Sequence, residues 1–517
     1  MSDKLPVDRI IRESGENDYS DSTFLNSWDD IGIQLLCDAA VRQGLDVQYH
    51  RRMIFEVFND TQRVVFRQNS PGNSAVYTYC ARQKQVAKSI MARNGVPVPT
   101  GEVFEHYGSA LRYFKEADTA VTVKPNDGSS GSGVSSSVTD EAEFQKAWKF
   151  ARKYSRNIIV EQNIYGEDIR VIVIGGKAEA AYVRIPAHVV GDGKSSIQDL
   201  VEHKNSVRIK NPSLRLDPIR RFDLLERNGI SLDFVPDAGQ KIQLATVANA
   251  SAGGETVQIF DLLSQEILGV AEKAALCFPG LVQVGVDLIY TGADTDVAPP
   301  AYVIEVNSNP GICDAVFPCY GRSIDVPEKL ISHVFSSGAL KQEVPPPLKI
   351  ALASPYRYQE FDRAFRRGIH RQVDLIVQAA YARNLELETF SDTVFTLSSA
   401  RSRCTFHGGI PEGVLMVSRK ITRNRRWMAE ILPRSDGFDS KVTPNLRKFR
   451  LLVVGRKLVS VLHIQPGERG QDPVRADASD LVSPSVLPII ERTLSAIYDP
   501  PLAGIEILAQ DISADMK

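Results

Sequence analysis

Apolar positions recur at helical spacing through Ile31–Arg42 and again over residues 83–93. Gly44 follows the first run as a C-terminal cap, and Asn94-Gly95 ends the second before an extended VPVP segment. Short β-prone pieces such as Arg63–Arg67 lie between them. Residues 119–125 read as a buried strand, 127–133 as a Gly/Ser-rich turn and 141–154 as a helix. Strands follow at Ile158–Gln162 and 169–174, and 178–184 pairs with the latter as a hairpin. A polar excursion over 189–246 reads as an elaborated loop or lid. A helix over 261–277 and strands over 282–290 and 301–306 complete the unit, whose mixture of strands and helices is α+β.

The polar first twenty residues read as a flexible tail, followed by an N-terminal α/β domain over 21–100 and a larger domain over 101–343. A proline-rich linker at 344–348 leads to a last domain, 349–517, which repeats the earlier one in shortened form. Residues 38–66 match 378–406 without gaps at a shift of 340 (379 minus 39). RVIVIGGK at 170–177 then matches RLLVVGRK at 450–457, a shift of 280 (450 minus 170), so the second copy lacks about 60 residues, the Gly/Ser turn among them. VGVDLIY at 284–290 resembles AGIEILA at 503–509.

Composition narrows the function classes. With 43% apolar and 24% charged residues and a formal charge of −2, the 517-residue chain has no overall attraction for nucleic acid or an anionic membrane. No apolar run approaches the roughly 20 residues that span a bilayer, and no secretory signal opens the sequence, which leaves the cytoplasm as the expected location. Cysteines 37, 80, 277, 313, 319 and 404 match no common zinc spacing and read as inert thiols.

Four stretches ask for a polyphosphate and a metal held against a reacting carboxylate. VKPNDGSSGSGVS at 123–135 offers backbone N–H groups at Gly128, Ser129, Ser130 and Gly131, with Lys124 as countercharge; a lysine inside a buried strand is costly without a role. In IIVEQNIYGEDIRVIVIGGK at 158–177, an apolar strand delivers Glu161 and Gln162, where an extended backbone and a carboxylate can meet an adenine edge. Asp168 and Arg170 alternate with apolar neighbours and share a face; a plain surface ion pair is the competing reading. Arg184 can grip phosphate or a developing acyl phosphate, whereas His188 reads as a structural histidine rather than a base. Asp287, Glu305 and Asn307 offer hard oxygen donors from two neighbouring strands, a set that suits magnesium.

Together these segments resemble the ATP-grasp fold, in particular the glutathione-synthetase-like module of bifunctional glutamate–cysteine ligase/glutathione synthetases and of cyanophycin synthetases. The similarity runs from about Asp30 to Gly311 and includes QKQVAKSIMARNGVPVP, RIPAHVVGDGKSSIQDLVEHKN and IEVNSNPG. It implies that residues 21–100 form the substrate-side domain, that Lys84 and Lys124 contact the ATP phosphates and that Glu161, Gln162, Asn163 and Ile164 hold adenine. It further implies Asp168 near the ribose, Asn249 among the cofactor contacts, Arg170 and Arg184 at the reacting phosphate, and magnesium or manganese on Asp287, Glu305 and Asn307. The implied activity is a ligase that activates a carboxylate of an amino acid or small peptide as an acyl phosphate and joins it to an amine. A phosphotransferase and a non-catalytic nucleotide-binding scaffold are the alternatives. Two departures affect substrate choice: Ala245 stands where these families carry an arginine before NxSxGG, and Gln258 where an acidic residue is usual. In the second copy, Lys84 corresponds to Asn424 and Asp287 to Glu506, and Asp511 is the nearby acid for Glu305. That copy reads as a degenerate partial repeat serving as an internal pseudo-subunit.

Overall fold

The computed structural model describes residues 5–336 apart from 27–29, 52, 128–131, 246–247 and 293–298; beyond these it describes 349–350, most of 373–423, 447–465, 474–496, 500–509 and 512–513. The chain divides into two compact units. One comprises Met1–Pro71 and Cys80–Ala339, the other Gly72–Tyr79 and Leu340–Lys517. The boundary thus differs from a simple division at the linker, because eight residues from early in the sequence belong to the second unit.

Unit one opens with α1 (Val7–Ser14). Residues 5–20 are not all free tail: the Asn17 N–H donates to the Cys319 carbonyl and its side-chain amide to the carbonyls of Pro318 and Gly321. Helix α2 (Ile31–Arg42) begins where Asp30 accepts from the Gly32 N–H, and it buries Ile33, Leu35, Leu36, Ala39 and Ala40. Strands β1 (Asp46–Arg51), β2 (Ile54–Phe58), β3 (Arg63–Arg67) and β4 (Ser70–Pro71) form an antiparallel meander. Helix α3 (Ala75–Arg82) crosses the unit boundary, and α4 (Lys84–Arg93) follows.

A second sheet contains β5 (Gly101–Phe104), β6 (Val121–Pro125), β7 (Ser135–Val138) and β8 (Ile158–Gln162), in the order β5-β8-β6-β7. Helices α5 (Tyr107–Glu116) and α6 (Glu141–Ala151) cover one face, around a core that includes Val121, Val123, Phe144, Trp148 and Val160.

The third sheet is built from β9 (Glu167–Ile174) and β10 (Lys177–Ile185), a hairpin closed by Gly175 and Gly176 at φ 56° and 82°. Gly166 admits β9 beside the neighbouring strand: a Cβ there would lie 2.0 Å from the Tyr290 carbonyl oxygen. The polar excursion is not a bare loop. It holds β11 (His188–Val190), α7 (Ile197–Arg208), α8 (Asp223–Asn228) and β12 (Lys241–Gln243), with β11 paired to β12 over its own core of Val189, Ile197, Val201, Ile219, Leu225 and Ile242. Strand β13 (Glu255–Gln258), helix α9 (Gln265–Leu276), strands β14 (Gln283–Tyr290) and β15 (Ala301–Asn307), and helices α10 (Cys313–Val316) and α11 (Val326–Ser336) complete the unit. Helix α9 starts four residues later than the apolar pattern suggests because Ser264 caps it, accepting from the Ile267 N–H. The sheet order is β13-β10-β9-β14-β15, antiparallel throughout.

Unit two contains β16 (Lys349–Ile350), β17 (Glu386–Thr389), β18 (Val394–Ser398), β19 (Arg403–His407), β20 (Ile410–Pro411) and α12 (Met416–Thr422). These are followed by β21 (Arg447–Val454), β22 (Lys457–Gln465), β23 (Val474–Asp477), α13 (Leu487–Ala496) and β24 (Leu502–Ala509). Strands β18, β19 and β20 coincide residue for residue with β2, β3 and β4 at the shift of 340 (394 minus 54). Strands β21 and β22 coincide with β9 and β10 at 280 (447 minus 167), including the bulge between Ala178 and Ala180, which recurs between Leu458 and Ser460. Strand β23 pairs with β22 as β13 pairs with β10, but now at a shift of 219 (474 minus 255). The second copy therefore lacks a further 61 residues (280 minus 219), in the interval that holds the β11–β12 insert of unit one.

Candidate functional site

Four adjacent strands of the third sheet carry one row of charge. Arg184 stands on β10, Arg170 on β9, Asp287 on β14 and Glu305 on β15, with Asp287 in register with both Arg170 and Glu305. Side chains in register on neighbouring strands share a face, so the row follows from the pairing itself. The Arg170 guanidinium grips Asp287 in a bidentate pair at 2.5 and 2.6 Å. Arg184 donates to Asp168 at 2.5 Å and lies 3.2 Å from Asp287. The Asn307 amide places its oxygen 3.0 Å from Arg170 Nη2 and its nitrogen 3.2 Å from Glu305.

The centre of this row, Asp287, is buried, its neighbours are half-buried, and the row is electrostatically tight. Burial alone would raise the Asp287 carboxyl, but Arg170 and Arg184 outweigh it and hold the group ionised below the usual carboxylate range. Burial works against both arginines, and Asp287 in turn keeps them above their ordinary value. Asp168 moves the other way: burial, with the like charge of Asp287, exceeds the pull of Arg184 and raises it.

A second cluster lies where α4 meets β6 and β8. Lys124, 4% exposed, sits 2.7 Å from Glu161, which also pairs with Lys88. Burial depresses the Lys88 ammonium to about 8, with the neighbouring charge of Lys124 adding to the effect. Glu161 is opposed by burial, yet the two lysines hold it below its ordinary value. One turn back on α4, Lys84 lies 3.6 Å from Glu305, which joins this cluster to the charged row.

The sequence-derived residues thus fall into three groups. Lys84, Lys124, Glu161, Asp168, Arg170, Arg184, Asp287, Glu305 and Asn307 form the two linked clusters. Asn163 is committed elsewhere: its side-chain oxygen accepts from the Thr122 hydroxyl and the Ser137 N–H, fixing the β7–β8 region. Glu161 likewise turns its carboxylate onto two lysines, and β8 is an interior strand paired with β5 and β6, with the Gln162 and Asn163 N–H groups donating to the Thr100 and Ala120 carbonyls just before Ile164. Asn249 precedes the 3₁₀ turn Ala250–Ala252, and its carbonyl accepts from the Ala252 and Gly254 N–H groups. Gly128, Ser129, Ser130, Gly131, Asn424 and Asp511 lie outside the described residues.

Lys88 was not singled out by the sequence, although its position four residues after Lys84 puts both on one helix face. Arg208 was also missed. It is 1% exposed and donates to the carbonyls of Gly254, Asp217 and Ala250, holding the NASAGG loop beside the buried Ala245. His188 is structural: it is buried 3.6 Å from Glu255, and its ring faces the Pro186 carbonyl at 3.2 Å. Burial and Lys204 lower its pKa to about 4. The unfolded chain therefore takes up a proton near pH 6.5 that the folded chain refuses until about 4. Stability should decline as pH falls through this window, by on the order of 3 kcal/mol from this group. His188→Gln should flatten that part of a urea-midpoint-versus-pH curve.

Asp287, Glu305 and Asn307 are hard oxygen donors on two paired strands, with Arg170 occupying both Asp287 oxygens. Among the described residues no group of three or more His, Cys, Asp or Glu side chains could hold a metal. Two carboxylates and an amide oxygen suit an ion that fills its remaining positions from phosphate and water.

Residues 81–311 match the ATP-grasp domain family. Over 270 residues it is 33% identical to cyanophycin synthetase from Trichormus variabilis, covering 49% of this chain and 29% of that protein. The glutathione biosynthesis bifunctional protein GshAB of Clostridium perfringens is 26% identical over 321 residues, 59% of this chain and 41% of that one. The chain thus matches less than half the length of these relatives. A bifunctional glutathione synthetase from Pasteurella multocida superposes with a TM-score of 0.48 at 24% identity, covering 62% of this chain and 45% of that one.

Proposed function

We propose that this protein is an ATP-dependent carboxylate–amine ligase of the cytoplasm. It would act on an amino acid or small peptide and form an amide through an acyl phosphate, with ADP and phosphate released. The observation that carries this reading is the row Arg184–Arg170–Asp287–Glu305, with Lys84 on Glu305 and, one helical turn along α4, Lys88 sharing Glu161 with Lys124.

A carboxylate needs a leaving group before an amine can displace its oxygen, and the barrier to phosphoryl transfer is largely electrostatic. Lys84 and Lys124 supply fixed positive charge for the phosphates, and neither must reorganise, because each is already held by a carboxylate. Arg170 and Arg184 are planar donors locked by Asp287 and Asp168, in position for charge that develops on a transferring phosphoryl group. Asp287, Glu305 and Asn307 would hold magnesium, which supplies countercharge to the phosphate oxygens when bound. The β11–β12 insert has its own core and can act as a rigid lid that keeps water from the acyl phosphate.

Residues 349–517 are, on the same reading, a degenerate ATP-grasp repeat acting as an internal pseudo-subunit. The Arg170–Asp287 pair persists there as Arg450–Glu506, whereas Asp168 is replaced by Lys448 and Arg184 by Ile464. Strand β15, which carries Glu305, has no counterpart among the described residues of that sheet.

ADP should appear only when a carboxylate and an amine are both supplied, which an ADP-release screen over pairs of amino acids and small acids would detect. ADP with one acceptor would mean a phosphotransferase, binding without turnover a scaffold, and AMP with pyrophosphate a different activation chemistry.

A further inference from the structure

One straight line of polar side chains crosses all five strands of the third sheet. Gln258 on β13 is in register with Tyr182 on β10, Tyr182 with Arg170 on β9, Arg170 with Asp287 on β14, and Asp287 with Glu305 on β15. Residues in register on neighbouring strands share a face, so Gln258 and Tyr182 stand on the same face as the charged row. Arg170, Asp287 and Glu305 have charged partners. The other two do not. The Tyr182 hydroxyl and the Gln258 amide nitrogen are closed off from solvent and have no hydrogen-bond partner among the described residues. Tyr182 is 1% exposed and Gln258 7%. A buried polar group left unpaired costs stability, and nearly all such groups in folded proteins are paired. Two of them side by side, at one end of a reactive row, mark a place that a ligand completes.

Their position on the line decides which ligand. Lys84 meets Glu305 at the β15 end, 3.6 Å away, which puts the phosphates and metal on that side of Arg170. Neighbouring strands lie about 4.8 Å apart, so Tyr182 stands roughly 5 Å and Gln258 roughly 10 Å beyond Arg170, away from the nucleotide. The molecule that attacks an acyl phosphate at Arg170 has to approach from this end. Asp314 adds a negative charge there. Its helix, α10, packs on β10. Burial, with the Asp314 charge, raises the Tyr182 hydroxyl above its ordinary value, so it stays protonated and able to donate. Asp314 accepts from the Ser213 hydroxyl at 2.6 Å, and Asn211 donates to the Phe317 carbonyl at 3.0 Å. Ser213 and Asn211 belong to the β11–β12 insert, so a ligand enters here when the insert parts from residues 314–317.

We propose that Tyr182, Gln258 and Asp314 bind the amine substrate, Tyr182 and Gln258 donating to its carboxylate and Asp314 accepting from its amino group. This rests on the ligase reading above and names the residues that select its second substrate. The Gln258 nitrogen can only donate and the protonated Tyr182 hydroxyl is a donor beside it, a pair that suits an oxygen anion. An amine without a carboxylate leaves both donors buried and unpaired, and a site of that kind discriminates strongly against it.

Steady-state ADP release by the full-length protein, with the acid and amine found in the two-substrate screen, tests this assignment. Tyr182→Phe, Gln258→Glu and Asp314→Asn should each raise KM for the amine about tenfold, the effect of one lost hydrogen bond to a charged group. KM for ATP and for the acid should not change. Tyr182→Phe should also keep or raise the urea midpoint, because it removes a buried hydroxyl that the folded chain leaves unpaired. A folded variant of any of the three with an unchanged amine KM overturns the proposal, and so does an equal rise in KM for every substrate. If a variant does not fold, the wild-type chain decides. Replacing the amino acid by its carboxamide should raise KM about tenfold or more; equal values, or a productive amine with no carboxylate, overturn the proposal. Those results would remove this inference alone, since ADP release would still require both substrates. No ADP from any acid–amine pair would remove the ligase reading and this inference with it.

Discussion

Lys124→Ala should lower turnover by about a thousandfold while leaving the protein folded. A charge placed about 4 Å from a phosphate oxygen at an effective dielectric near 20 contributes roughly 4 kcal/mol, and each ~1.4 kcal/mol is a factor of ten in rate. Folding should survive because Glu161 keeps its second partner, Lys88, when Lys124 is removed. Steady-state ADP release and circular dichroism on the same preparation are sufficient. Near-normal rates would remove Lys124 from the nucleotide site, and unfolding would make its pairing with Glu161 the dominant role.

Asp287→Ala should destabilise the protein by about 3–5 kcal/mol, the usual consequence of leaving a buried partner charge uncompensated. Asp287 is 8% exposed and is the common partner of Arg170 and Arg184, so its loss leaves two like charges facing each other. The counterpart change in the second copy, Glu506→Ala, should cost only about 0–1 kcal/mol. Although Glu506 contacts Arg450 and Lys448, these side chains are 37–49% exposed, where water screens the attraction. Urea midpoints of the two variants measure the difference. Equal shifts would mean that the charged row of unit one is no more buried than its counterpart.

Much of this arrangement could be read from local pattern. Helices α2 and α4 and the β9–β10 hairpin lie where the apolar periodicity and the flanking glycines put them. The alternation that sets Asp168 and Arg170 on one face is a property of any strand, so register alone then aligns Arg170 with Asp287. The shortened repeat was visible because its gap-free stretches coincide with whole strands.

What the sequence concealed was held by distant partners. Asn17 looks like part of a polar tail until its hydrogen bonds to Pro318 and Gly321 are known. The insert's core draws Val189, Ile197, Val201, Ile219, Leu225 and Ile242 from a stretch too polar to show periodicity. Lys88 reads as an ordinary helix position, and only the fold brings it to Glu161, 73 residues away. The placement of Gly72–Tyr79 in unit two likewise depends on residues 405–416, which no local window contains.

Calorimetric titration of the full-length protein with a non-hydrolysable ATP analogue and magnesium tests the nucleotide site most directly. One site per chain is predicted, with binding lost or greatly weakened in Lys84→Ala and Lys124→Ala. Two sites per chain, or one whose affinity is indifferent to both lysines, would contradict it.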